Sequence, residues 1–110
     1  MSTPPFREIS PTELATLMAA GTAPRVIDIR EPHERAICRI AGSDFLPLSE
    51  VREWWPDLDP GASIAFYCHH GRRSQSLCYA LAAQGFTALA NVTGGIEAWR
   101  VAVEPGMVGY

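Results

Sequence analysis

The chain has 110 residues and a mass of 12.0 kDa, and 47% of it is hydrophobic, enough for one domain to bury a core without disulfide or metal staples. A formal net charge of −3 and a pI near 5.5 exclude the basic footprint that non-specific nucleic-acid binding needs. All nine basic residues are arginine, and no apolar run approaches bilayer-spanning length, so no membrane partner is expected.

Three cysteines, Cys38, Cys68 and Cys78, make an odd number without the spacing of a disulfide framework, so at least one thiol stays unpaired within the chain. The opening MSTPPFREIS has neither a basic n-region nor an apolar h-region, and free thiols persist in reducing compartments. A cytoplasmic location is the expectation.

Pro4 and Pro5 point to a flexible arm over residues 1–7, with a single domain over 8–110. Ser10 as N-cap, Pro11 at the first helical position and Glu13 closing a capping box predict a helix carrying Leu14, Leu17 and Met18 and stopped by Gly21. PRVIDI over 24–29 reads as a buried strand, followed by a helical turn around His33–Ala36. FLPL at 45–48 predicts a brief extended piece. Ser49 is placed to cap a helix through Trp54 and Trp55, which cannot both face inward. Pro56, Asp57, Asp59, Pro60 and Gly61 read as a turn. SIAFY at 63–67 is the next strand, and a helix over 74–84 ends at Gly85. ALANV at 88–92 is a further strand, and Gly94-Gly95 opens a last helix in which Trp99 belongs to the core. Strands alternating with helices predict an α/β fold with a parallel sheet.

The segment that carries chemistry is YCHHGRRS, residues 67–74. Cys68 follows a strand and precedes a helix, and ligand sites of open α/β sheets lie at the carboxyl ends of strands. Unpaired N–H groups of the helix start, a tight loop allowed by Gly71, and the charges of Arg72 and Arg73 all favour thiolate over thiol. From Cys68 to Arg73 the spacing is C-x4-R, one residue shorter than the C-x5-R of cysteine phosphatases, which would need arginine where Ser74 stands. The shorter cradle suits a single sulfur on the cysteine better than a phosphoryl group. Cys78 shares its helix with Leu77 and Leu81 and is expected to pack inward, whereas Cys38 falls in a loop open to chance oxidation. The adjacent His69 and His70 cannot easily aim at one ion, and no second pair has zinc spacing, so no metal is expected.

Three segments together resemble the rhodanese-like sulfurtransferases. YCHHGRRS is similar to that family's C-x-x-G-x-R-[ST] loop, VIDIREPHE to its D-x-R-x-x-x-E motif, and VTGGIEAWR to its GG-[IM]-x-A-W motif. The resemblance implies a three-layer α/β fold, a central mainly parallel sheet of about five strands flanked by helices. It also implies a thiosulfate sulfurtransferase in which the Cys68 thiolate takes a sulfane sulfur from a donor such as thiosulfate or a persulfide. The resulting enzyme persulfide passes that sulfur to cyanide, a thiol or a protein acceptor, without a cofactor. His69, His70, Gly71, Arg72 and Arg73 would bind substrate, inward-facing amides of 69–73 holding the outer sulfur. Arg73, at the motif position, would hold an anion or tie the loop to Asp28 or Glu34. Arg72, at the variable position, would select an anionic donor or stay a solvated charge. Asp28, Arg30 and Ser74 would support the loop. The run Cys38-Arg39-Ile40-Ala41-Gly42-Ser43 departs from the family's G-H-I-x-G-A and lacks that histidine's hydrogen bonds. Alternatives are a cysteine phosphatase or arsenate reductase, a non-catalytic binding module, and a redox switch pairing Cys68 with Cys38 or Cys78.

Overall fold

In the computed structural model, which describes residues 3–110, five parallel strands form one sheet in the order β1-β5-β4-β2-β3. They are β1 (Arg7–Ile9), β2 (Arg25–Asp28), β3 (Asp44–Phe45), β4 (Ile64–Tyr67) and β5 (Leu89–Val92). The helices are α1 (Pro11–Ala20), α2 (Pro32–Ile37), α3 (Val51–Trp54), α4 (Arg72–Ala83) and α5 (Gly95–Ala102), with 3₁₀ turns on either side of α3.

Strand alternation creates two cores. From β4, Ile64 and Phe66, and Cys68 just beyond it, join Trp54, Leu58, Leu77, Cys78 and Leu81 on the α3–α4 side. Ala65 and Tyr67 join Leu14, Ile96 and Trp99 on the α1–α5 side. β4 and β5 are buried at every residue, as a parallel sheet covered on both faces requires. This is the three-layer α/β architecture expected from the sequence. Trp99 is core, its Nε1 donating to Glu104 Oε1 at 2.9 Å.

Local differences from the sequence reading have physical causes. The expected arm over 1–7 includes residues 1 and 2, which lie outside the described residues. Phe6, however, is buried edge-on against Tyr79 at a ring distance of 4.7 Å, and Arg7 begins β1, so order starts earlier than residue 8. A three-residue edge strand carries too little periodicity to be read from sequence. Ser10 does cap α1, its Oγ accepting from the Glu13 N–H at 3.1 Å. The Glu13 carboxylate, though, turns to Arg7 at 2.6 and 2.9 Å instead of completing a box. Ser49 lies within a 3₁₀ turn (Leu48–Glu50) and donates from Oγ to Glu31 Oε1 at 2.6 Å, so it caps no helix. Of the two tryptophans, Trp54 is buried, with Nε1 donating to Pro47 O at 2.8 Å, and Trp55 is half-buried. The helix expected over 74–84 starts two residues early, at Arg72, because Gly71 takes φ 93° and serves as its N-cap. That places both loop arginines in the first turn of α4.

Candidate active site

β4 delivers Cys68 to the carboxyl edge of the sheet, where the chain turns sharply at Gly71 into α4. A helix start leaves its first N–H groups without helical partners. Here the Gly71 N–H points at Cys68 Sγ at 3.2 Å and the Ser74 N–H at 3.5 Å, while the first helical bond runs from the Gln75 N–H to Gly71 O at 3.2 Å. Between them, the N–H groups of Arg72 and Arg73 meet no acceptor among the described residues. Cys68 itself is 1% exposed. Ser74 Oγ lies 3.4 Å from Sγ.

What turns these amides toward sulfur is the second helix start at the site. The Ile96 N–H donates to Cys68 O at 2.9 Å and the Glu97 N–H to His69 O at 3.1 Å. The first turn of α5 thus ties down the loop carbonyls on one side, leaving the following N–H groups to converge on the other. Gly95 permits the approach: at φ 62°, a Cβ there would lie 2.5 Å from both Cys68 O and His69 O. The sequence gives Gly94-Gly95 a place as a helix start and in the family's GG-[IM]-x-A-W motif, but not this contact with the Cys68 loop. The signal for more was a glycine pair at a strand–helix junction, where backbone has to meet backbone closely.

Arg73 is not turned on the thiol. Its Nη1 and Nη2 donate to Glu34 Oε1 and Oε2 at 2.8 and 2.9 Å, so of the two expected carboxylates it takes Glu34 rather than Asp28. The Arg73 guanidinium, opposed by burial and assisted by the Tyr110 hydroxyl and the Glu31 N–H, holds the Glu34 carboxyl down at about 2, well below its ordinary 4.5. The pair with Arg73 stabilises the fold only while Glu34 is ionised. A depressed carboxyl contributes above its unfolded value, and the contribution disappears as pH falls through the folded one. We expect melting experiments to show roughly 2 kcal/mol lost between about pH 4.5 and pH 2, an amount discounted for the exposed side of Arg73. Glu34→Gln, already lacking the pair, should lose correspondingly less over that window.

Asp28 and Arg30 support the loop at one remove. Both are 0% exposed; Asp28 accepts from Arg30 Nε and Nη2 at 2.9 and 2.8 Å and from Arg35 Nη1 at 3.1 Å. Arg30 donates onward to Cys38 O at 2.5 Å and Glu34 O at 3.3 Å, thereby fastening α2 and with it Glu34. In the segment departing from the family pattern, then, Arg30 binds Cys38 while Arg39 is exposed. Tyr110, which the sequence reading passed over, bridges the assembly. Its hydroxyl donates to Glu34 Oε2 at 2.7 Å and accepts from Arg30 Nη1 at 3.0 Å, and its ring stacks on His69 at 3.8 Å. No local pattern links position 110 to a loop forty residues earlier in the chain.

His69 is half-buried, and its Nε2 is a buried atom without a partner among the described residues; His70 and Arg72 are exposed. Cys78 is fully buried, donates to Ala90 O at 3.6 Å, and burial pushes its thiol up to about 12, which disfavours it as a resolving thiol. An apolar cavity of about 510 Å³ lies between α3 and α4, lined by Leu48, Val51, Trp55, Leu77 and Leu81, with Arg73 at its rim and Cys68 outside it.

A family model described as the Rhodanese-like domain matches residues 10–102. The chain belongs to this family. It is 36% identical over 95 residues to the thiosulfate sulfurtransferase GlpE of Ectopseudomonas mendocina, covering 86% of this chain and 85% of that one. The Pseudomonas aeruginosa protein of the same name is 33% identical over 95 residues, covering 86% and 84%. Among solved structures, a rhodanese-related protein from Thermoplasma volcanium superimposes with a TM-score of 0.74 at 34% identity, covering 93% of this chain and 95% of that one. A rhodanese-like domain protein from Staphylococcus aureus, at 22% identity, shares the fold with a TM-score of 0.79 over 94% and 98% of the two chains. Among the described residues no helix is long and apolar enough to cross a membrane.

Proposed function

We propose that this rhodanese-like protein transfers a sulfane sulfur from thiosulfate, or a donor of the same kind, to a thiophilic acceptor through a persulfide on Cys68. In the first half-reaction the Sγ thiolate attacks the outer sulfur of thiosulfate. The new S–S bond forms as the old one breaks, and the departing electron pair leaves with sulfite. In the second, cyanide or a thiolate attacks the outer sulfur of the persulfide and Sγ departs as thiolate. This is covalent catalysis by an activated nucleophile, with a free thiol suited to a reducing compartment.

The observation that carries this reading is the distribution of donors at the start of α4. Two N–H groups address Sγ, and those of Arg72 and Arg73, between them in sequence, meet no acceptor among the described residues. A terminal sulfur on Cys68 would bring its charge to those free donors, as an oxyanion hole receives developing charge. A phosphoryl group is less well served, because both terminal nitrogens of Arg73 are engaged by Glu34. The relatives named thiosulfate sulfurtransferase support the same donor.

Incubation with thiosulfate followed by intact-mass measurement should show a one-sulfur adduct that cyanide removes. Cys68→Ala should show none, while Cys78→Ala should retain it. Absence of the adduct in the parent protein, or its survival in Cys68→Ala, refutes the proposal. Hydrolysis of aryl phosphates should be at background.

A further inference from the structure

The polar contacts of Cys68 do not end at Ser74. Ser74 is 0% exposed and donates its hydroxyl hydrogen to Asn91 Oδ1. Asn91, 2% exposed on β5, donates from Nδ2 to both oxygens of Glu8 at 3.1 Å and to Gly71 O at 3.2 Å. Glu8 is its register partner on β1 and is steadied by Thr93 Oγ1 at 2.9 Å and Gln75 Nε2 at 3.2 Å. A polar residue buried in the strand sequence LANV, otherwise apolar, calls for a reason.

The direction of each bond follows from valence. A side-chain amide has two hydrogens, and acceptor-only groups, Glu8 and Gly71 O, claim both. The amide is therefore fixed with Oδ1, an acceptor, toward Ser74. Serine has one hydroxyl hydrogen, so while Asn91 holds it Ser74 can only accept from a Cys68 thiol. When Sγ carries charge, Sγ and Asn91 Oδ1 compete for that one hydrogen.

The geometry points to Asn91 as a positioning residue that draws the Ser74 hydroxyl off Cys68 Sγ, so that the hydrogen swings to Sγ only as negative charge arrives there. The proposal deepens the persulfide reading above and rests on it for its catalytic meaning. In the persulfide, charge sits on the outer sulfur and Sγ needs no hydroxyl donor. When an acceptor attacks the outer sulfur, the S–S electron pair passes to Sγ and the Ser74 hydrogen turns toward it. That hydrogen stays covalently on Ser74 throughout, and no proton changes owner.

The test is a double-mutant cycle on Cys68 alkylation by iodoacetamide, followed by peptide mass at a pH where the rate is still rising with pH. This readout requires no sulfur transfer, so it stands even if the persulfide reading fails. Asn91→Ala frees the hydroxyl for the thiolate. A bond to a charged acceptor raises the thiolate fraction about tenfold, and the accompanying loss of intrinsic nucleophilicity halves the exponent. The expected result is alkylation about threefold faster than in the parent. Ser74→Ala should slow it, and adding Asn91→Ala to Ser74→Ala should change nothing further. Should Asn91→Ala not fold, Asn91→Ser, too short to reach Ser74, carries the same expectation. Alkylation no faster than in the parent, or an Asn91 effect undiminished without the Ser74 hydroxyl, overturns the proposal, since wider access or a loosened strand would persist in the double variant.

Discussion

Gly95→Ala is expected to be among the most damaging single-methyl additions to this protein, costing about 3 kcal/mol or more in stability and abolishing the thiosulfate adduct. The added Cβ would sit 2.5 Å from Cys68 O, 2.5 Å from His69 O and 2.6 Å from His69 C, all of them main-chain atoms with no flexible end to yield. Alanine at φ 62° adds its own penalty of about 1 kcal/mol. Relief requires α5 to withdraw from the loop, and withdrawal breaks the bonds from the Ile96 and Glu97 N–H groups to Cys68 O and His69 O. Each contributes about 1 kcal/mol. More to the point, those bonds hold the loop carbonyls away from Sγ. Once released, the amides at 71 and 74 no longer converge on sulfur. Gly85→Ala supplies the control, since φ there is 95° but a Cβ would meet nothing within 4 Å. It should show the conformational penalty alone and keep the adduct. Thermal melts and intact-mass measurements of the two variants compare them directly. Equal melting temperatures would remove the role assigned here to backbone contact.

The layered α/β plan was legible because alternation and length separate buried strands from amphipathic helices. SIAFY and ALANV appear as strands within a residue of their predicted limits, and Ser10 and Gly21 bound α1 as cap chemistry requires. The turn of the Cys68 loop was legible for another reason: cysteine, glycine and arginine at fixed spacing declare a local geometry that needs no tertiary knowledge. What escaped depends on contacts distant in sequence. β1 is stabilised by register with β5 more than eighty residues later, and Tyr110 reaches Glu34 and His69 from the last position of the chain. The partner of Arg73 was narrowed to two carboxylates by sequence. Geometry chose Glu34, since Asp28 is already saturated by Arg30 and Arg35. Glu13 shows the converse, a local motif overruled because a cation, Arg7, lies within reach on the neighbouring strand.

Asp28→Ala should prove as costly as Gly95→Ala by an electrostatic route. Arg30 is completely buried; burial works against its charge, and Asp28 with Tyr110 more than offsets that, so the guanidinium stays protonated. Removing the carboxylate strands the cation, and losing one member of a buried pair costs about 3 to 5 kcal/mol. For a domain of this size each kilocalorie corresponds to roughly 4 to 8 °C, so a fall of at least 12 °C in Tm is expected. Replacing both partners, Asp28→Ala with Arg30→Met, removes the stranded charge and should recover most of that loss. Stability and function then separate. Arg30 also fixes Cys38 O, Glu34 O and the Tyr110 hydroxyl, so the double variant should fold well yet load sulfur slowly, with Glu34 and Arg73 no longer held against the loop. A double variant that loads as fast as the parent would show that the pair serves the fold alone, and a near-parental Tm for Asp28→Ala would deny it even that. The distinction matters because the two arginines of the family's motifs would then do different work: Arg30 fastens the platform that carries Glu34, and Arg73 fastens the loop to it, leaving the charge on sulfur to main-chain amides and the Ser74 hydroxyl.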